Sequence, residues 1–327
     1  MCFSYPPTKF GNTAMSADNK TQKRLDDVAR AAWLYYIAGK TQDEVASELG
    51  VSRQSAQRMV SQAMSSGMVK VRVDHPISKC LDLATALQDR FGLEFCEVVP
   101  FVADAAATST ATSFATGDVI ESWLNRPEPL VIGLGTGRTL RAAVEHLPNV
   151  DCRQHRIVSL TGNIAPDGST AYYNVLFTMT EKVSAATYPL PTPVIANTVE
   201  EKEMLLGQKT IASTRNLAAR ADVKFVGIGA ISDVAPLRID GFVPLETIAA
   251  LQNKGAVGEI LGWTFDAEGR LLEGLTNDRV CSTPLESGLT IAAASGVTKL
   301  PAILGAIRGG LVNGLVTDEV TAKEMLT

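Results

Sequence analysis

The chain has 327 residues, 46% hydrophobic and 20% charged, with a formal net charge of −5. That length and balance allow one small and one large globular domain and exclude a uniformly basic nucleic-acid binder; no apolar run is long enough to cross a membrane as a helix. Five cysteines stand far apart with no C-x-x-C pair, and three histidines are too few for a His-rich metal centre, so reduced thiols, a cytoplasmic location and no metal or cofactor are expected.

Residues 1–20 lack a basic start followed by an apolar core and read as a disordered tail, with a first domain over 21–76 and a second over 77–327. Arg24 to Ala38 carries Leu25, Val28, Ala32, Tyr35 and Tyr36 at helical spacing and ends at Gly39. Thr41 and Glu44 form a capping-box pattern for a second helix, with Val45, Ala46 and Leu49 inward and Gly50 closing it. Ser52 caps a third helix from Arg53 to Ser66, with Ala56, Met59, Val60 and Ala63 inward.

The stretch EVASELGVSRQSAQRMV therefore has the arrangement of a helix-turn-helix, whose second helix enters the major groove of DNA by its first turns. Arg53, Gln54, Ser55, Gln57 and Arg58 are the candidate DNA contacts, arginine and glutamine being able to bond guanine and adenine edges in pairs. From Val51 to Val73 four basic residues (Arg53, Arg58, Lys70, Arg72) stand without an acidic one, a local basic face on an acidic chain. Gly67 to Val73 alternates apolar and basic residues, as a strand or small wing does. The alternative is a helical bundle that contacts another protein.

Pro76 closes this domain, and Ile77 to Phe91 reads as a helix with Leu81, Ala84, Leu87 and Phe91 on one stripe. Strands and helices then alternate: a strand at Glu97–Val102, a helix at Thr108–Leu124, strands at Arg156–Leu160, Lys224–Ile228 and Leu289–Ala294, and a helix from about Lys299 to Arg308. Such repetition implies a Rossmann-like parallel sheet with helices on both faces and ligands beyond the carboxyl ends of the strands. At Leu130 to Leu140 (LVIGLGTGRTL) an apolar strand meets a glycine loop and a helix start. That combination is an anion cradle, with Thr136, Arg138 and Thr139 as donors suited to phosphate; its plain alternative is a tight turn with packing glycines.

The helix-turn-helix followed by GLGTGRTL, SLTGNI, TYPLPTPVIANTVEEKEML, ADVKFVGIGAI, AVGEILGWTFDAEG and IAAASGVTKLPAILGAIRGGLVNGLVTDE resembles the SorC family of sugar-responsive bacterial transcription regulators, from about Leu25 to Leu326. The resemblance implies an α/β chain. Its N-terminal domain is a winged-helix-like helix-turn-helix, and its effector domain is similar to the glucosamine-phosphate deaminase and ribose-phosphate isomerase fold. It also implies homo-oligomers, dimers or tetramers, on double-stranded operator DNA, controlled by a sugar, polyol or sugar phosphate. By position, Gly135, Thr136, Gly137, Arg138 and Thr139 hold the phosphate or its equivalent, with Ser159, Thr161, Gly162 and Asn163 beside it and Asp233 and Lys299 at the sugar end. The chain departs from the family's pattern at Thr136, where many members carry tryptophan, and at Glu259, where they carry aspartate.

Each of these residues has a plainer reading: Lys299 as a surface lysine, Asp233 as a loop cap, Glu259 as a structural carboxylate at a strand edge. The rival function is a sugar-phosphate isomerase or deaminase with Asp233 or Glu259 as general base and Lys299 as an electrostatic or Schiff-base group. A helix-turn-helix on the same chain favours ligand-controlled DNA binding and no catalytic residue.

Overall fold

The structure is a computed structural model that describes residues 14–66, 68–69, 77–101, 105–165, 168–169, 174–285 and 288–327, with no side-chain account of 14–22 or 105. It divides into two compact units, 1–75 and 76–327.

In the smaller unit, helix α1 runs Ala14–Ala32 and continues as a π-helical turn over Trp33–Ile37. Residues 14–20 are thus helical instead of continuing the expected tail, and residues 1–13 lie outside the described residues. Helix α2 is Gln42–Leu49, and its capping box is made in full: the Thr41 hydroxyl accepts from the Glu44 N–H, and the Glu44 carboxylate accepts from the Thr41 N–H at 2.7 Å. Gly50 ends it in the left-handed region at φ +65, where its missing Cβ removes the steric penalty. Helix α3 is Arg53–Ser65, capped by Ser52. Ala31, Val45, Ala46, Ala56 and Val60 make the common core, small residues that let the three helices approach closely. The expected wing at Gly67 to Val73 falls mostly outside the described residues.

The larger unit is mixed α/β. In chain order it contains α4 (Ser78–Phe91), β1 (Phe95–Val99), α5 (Ala105–Leu124), β2 (Val131–Leu134), α6 (Arg138–His146), β3 (Arg156–Ser159), α7 (Val175–Thr180) and β4 (Ala186–Tyr188). There follow α8 (Val199–Leu206), α9 (Lys209–Ala219), β5 (Val223–Gly227), β6 (Gly229–Ala230), α10 (Pro236–Ile239), α11 (Leu245–Asn253), β7 (Gly258–Ile260) and β8 (Trp263–Phe265). The chain ends with β9 (Leu289–Ala293), α12 (Leu300–Arg308), β10 (Gly314–Asp318) and α13 (Glu319–Leu326).

Seven strands form one parallel sheet in the order β1-β10-β9-β5-β2-β3-β4, and β6-β7-β8 form a small antiparallel sheet. All four residues of β2 are buried, the near-continuous apolar run of a strand covered on both faces. Two large apolar clusters pack against the sheet, one including Leu87, Phe265 and Ile303, the other Ile120, Leu140 and Phe225. From β2 the chain steps outward to β3 on one side, then returns to place β5 on the other. That reversal opens a crevice at the carboxyl ends of β2 and β5, the usual place for a ligand in such sheets.

Candidate functional site

A cavity of about 140 Å³ occupies this crevice. It is lined by Thr136, Gly137, Arg138 and Thr139 after β2, Gly162 after β3, and Gly227 and Gly229 after β5; Lys299 comes from the turn before α12. Asp240 and Glu259 complete its charged wall.

The three glycines of the β2 loop have separate causes. A Cβ on Gly133 would lie 2.7 Å from the Leu160 side chain, and one on Gly135 would lie 2.9 Å from Leu261 and 3.2 Å from the Phe225 carbonyl, so these two serve packing. Gly137 has φ +123 with open space around its Cβ position, so conformation alone demands glycine there. It is the N-cap of α6, which starts without a side-chain cap, so its amino-terminal turn faces the cavity through Arg138 and Thr139.

Four ionisable groups meet around this space. Arg138 Nη2 lies 3.7 Å from Asp240 Oδ1, the arginine side chain 56% exposed and the aspartate 17%. Burial raises the Asp240 pKa, against the pull of Arg138. Glu259 sits on the middle strand of the small sheet, not at an edge, and accepts the Gly262 N–H at 2.9 Å. Burial raises its pKa above the ordinary carboxylate value, with the Gly262 hydrogen bond and the charge of Lys299 opposing. Burial also lowers the Lys299 pKa, which the negative charge of Glu259 partly restores. Two cations, Arg138 and Lys299, and two carboxylates, Asp240 and Glu259, leave the lining balanced in formal charge, and each carboxylate can accept hydrogen bonds from hydroxyl groups.

Gly229 makes room for the glutamate: a Cβ there would lie 2.3 Å from Glu259 Oε1. The hairpin after β7 turns at Leu261 and Gly262, with φ +55 at Leu261. A leucine in the left-handed region stores strain of order 1 kcal/mol. It is held there by burial, its side chain wedged against Gly135.

Ten of the eleven effector-site residues expected from sequence line this cavity or a smaller one that shares Thr136 and Gly162 with it. Ser159, Thr161, Asn163 and Gly135 line the smaller cavity. Asp233 lines neither; it is exposed, and its carbonyl accepts from Arg238. Asp240, seven residues later, is the aspartate at the cavity. Only the fold of the segment around α10 brings it there, which no local pattern of residues shows.

On the smaller unit, Arg53, Gln54, Gln57 and Arg58 are exposed along one side of α3, and Ser55 is half-buried, its N–H bonded to the Ser52 cap. Arg53 is held loosely, 3.4 Å from Asp43, and the Arg58 Nε donates to the Gln54 carbonyl at 3.4 Å. Both arginine heads reach solvent.

The family described as "Putative sugar-binding domain" matches residues 75–327. The erythritol catabolism regulatory protein EryD of Brucella abortus is 36% identical over 300 residues, 91% of this chain and 95% of that protein. The transcriptional regulator LsrR of Escherichia coli K12 is 30% identical over 308 residues, covering 92% and 94%. The chain belongs to the SorC family of sugar-binding transcriptional regulators. It is a regulator, not an enzyme of sugar metabolism. Its fold matches the full-length sorbitol operon regulator SorC of Klebsiella pneumoniae with a TM-score of 0.70 at 23% identity, over 92% of this chain and 98% of that one. Of Asp233, Glu259 and Lys299, only Glu259 and Lys299 line the cavity.

Proposed function

We propose that the chain is a cytoplasmic helix-turn-helix regulator of a sugar or polyol catabolic operon, whose affinity for double-stranded operator DNA changes when a sugar, polyol or sugar phosphate occupies the crevice at β2 and β5. The observation that carries this reading is the charge-balanced cavity, built from carboxylates, cations and the amino-terminal turn of α6, on a chain similar along nine-tenths of its length to a regulator of erythritol catabolism. Gly135, Thr136, Gly137, Arg138, Thr139, Ser159, Thr161, Gly162, Asn163 and Lys299 hold the effector, with Asp240 and Glu259 accepting from its hydroxyls. Residues 21–76 bind DNA through Arg53, Gln54, Ser55, Gln57 and Arg58, and residues 77–327 bind the effector on a scaffold similar to the sugar-phosphate isomerase fold. Homo-oligomers, dimers or tetramers, pair the DNA-binding units on the operator.

The effector acts by binding two states of the assembly unequally. Fluorescence anisotropy on duplexes selected from a random library tests both halves. Arg53→Ala or Arg58→Ala should weaken DNA binding and flatten its salt dependence by about one counterion while sparing effector binding. Arg138→Ala or Thr139→Val should spare DNA binding and abolish the response to polyols, sugars and their phosphates. Loss of both properties in either pair, with the fold intact, would refute the division of labour.

A further inference from the structure

The smaller cavity beside Thr136 and Gly162 has a volume of about 10 Å³, the room one water molecule or one hydroxyl group takes. Two polar atoms in its wall are buried without a partner among the described residues: Asn163 Oδ1, an acceptor, and Asn174 Nδ2, a donor. The hydroxyls nearby are engaged elsewhere. Ser159 donates to the Thr161 carbonyl at 2.8 Å, and Thr161 bonds Ser282 at 2.9 Å. Asn174 is itself fixed, its Oδ1 accepting the Phe177 N–H as the cap of α7.

A buried donor and a buried acceptor left unpaired are costly, and paired by one group they are not. A hydroxyl both donates and accepts, so a single one satisfies Asn163 and Asn174 together. A phosphate offers several acceptor oxygens and negative charge; it would face the Asn163 oxygen, and no lysine or arginine is among the described residues lining this cavity. We infer that the cavity formed by Asn163 and Asn174 is a hydroxyl subsite that takes the terminal hydroxyl of a polyol or sugar lying in the main cavity and excludes a phosphate at that end. This rests on the effector reading above and narrows it: any phosphate lies at the other end, towards Arg138.

Calorimetric titration of the full chain with three probes tests the assignment: erythritol, meso-butane-2,3-diol, which keeps the inner hydroxyls and lacks both terminal ones, and erythritol 1,4-bisphosphate, blocked at both ends. The unaltered chain should prefer erythritol to either analogue by about tenfold or more, the effect of one buried hydrogen bond made or lost. Asn174→Asp keeps the cap on α7 but has no N–H to donate, and should lose the preference over the uncharged diol through about tenfold weaker erythritol binding. No preference in the unaltered chain, a preference over the diol that survives Asn174→Asp, or equal binding of the bisphosphate by the unaltered chain would overturn the subsite. Should erythritol not bind at all, the polyol effector fails separately, and a crystal structure of the chain decides the subsite: an ordered water bonded to Asn163 and Asn174 supports it, and a dry gap overturns it.

Discussion

Gly162→Ala should cost the larger unit about 3 kcal/mol and its effector response together. An added Cβ would lie 2.3 Å from the Thr192 carbonyl oxygen and 2.5 Å from the carbonyl carbon and oxygen of Pro193, all backbone atoms that cannot swing aside as a side chain can. Ordinary contact begins near 3.4 Å, so the two stretches of chain must part by about 1 Å. That opening strains two hydrogen bonds, from the Asn163 and Ile164 N–H groups to the same Thr192 oxygen at 3.0 and 3.2 Å. Each is worth about 1 kcal/mol, and overpacking adds roughly 1–3 kcal/mol. At this size the sum corresponds to a fall of about 10 °C in the melting temperature of the larger unit, read by differential scanning calorimetry. The same displacement moves Asn163 and Thr161 from the cavity wall, so effector-induced release or recruitment of DNA should vanish while basal DNA binding persists. A melting temperature within about 2 °C of the unaltered chain would show that the loop yields freely and refute the steric account.

Gly227→Ala is the matching test without the clash. Its Cβ would sit 3.4 Å from the Thr136 carbonyl, an ordinary contact, while projecting at the cavity wall. Stability should hold and effector affinity fall by about tenfold; unchanged affinity would place the ligand elsewhere. Glu259→Gln removes a carboxylate whose pKa is raised by burial. A raised acid contributes fully below its unfolded value and loses that contribution as pH climbs through its folded value. The glutamine variant should therefore gain on the unaltered chain in melting temperature as pH rises from about 4.5, and a gap that shrinks with rising pH would contradict the sign. Thr41→Ala deletes one half of the capping box on α2 and should cost the smaller unit about 1 kcal/mol, seen as a lower urea midpoint; no change would mean that water caps the helix equally well.

Local chemistry in the sequence marks several of the helices and strands and ten of the cavity-lining residues. The caps Thr41 and Ser52, the stop at Gly50 and the apolar strand before GTGRT each depend on neighbours a few residues away, so spacing alone reveals them. The strands β4, β6, β7 and β8 have two or three residues each, too few to show a period. Tertiary structure decided the rest. Which aspartate reaches the cavity, 233 or 240, depends on the path of the α10 segment, and Glu259 became a lining residue because Gly229 and the strained turn at Leu261 leave it space. The unpaired Oδ1 of Asn163 and Nδ2 of Asn174 meet only across folded segments. Hydrogen-bond satisfaction and burial are properties of distant chain brought together, and no local pattern of residues records them.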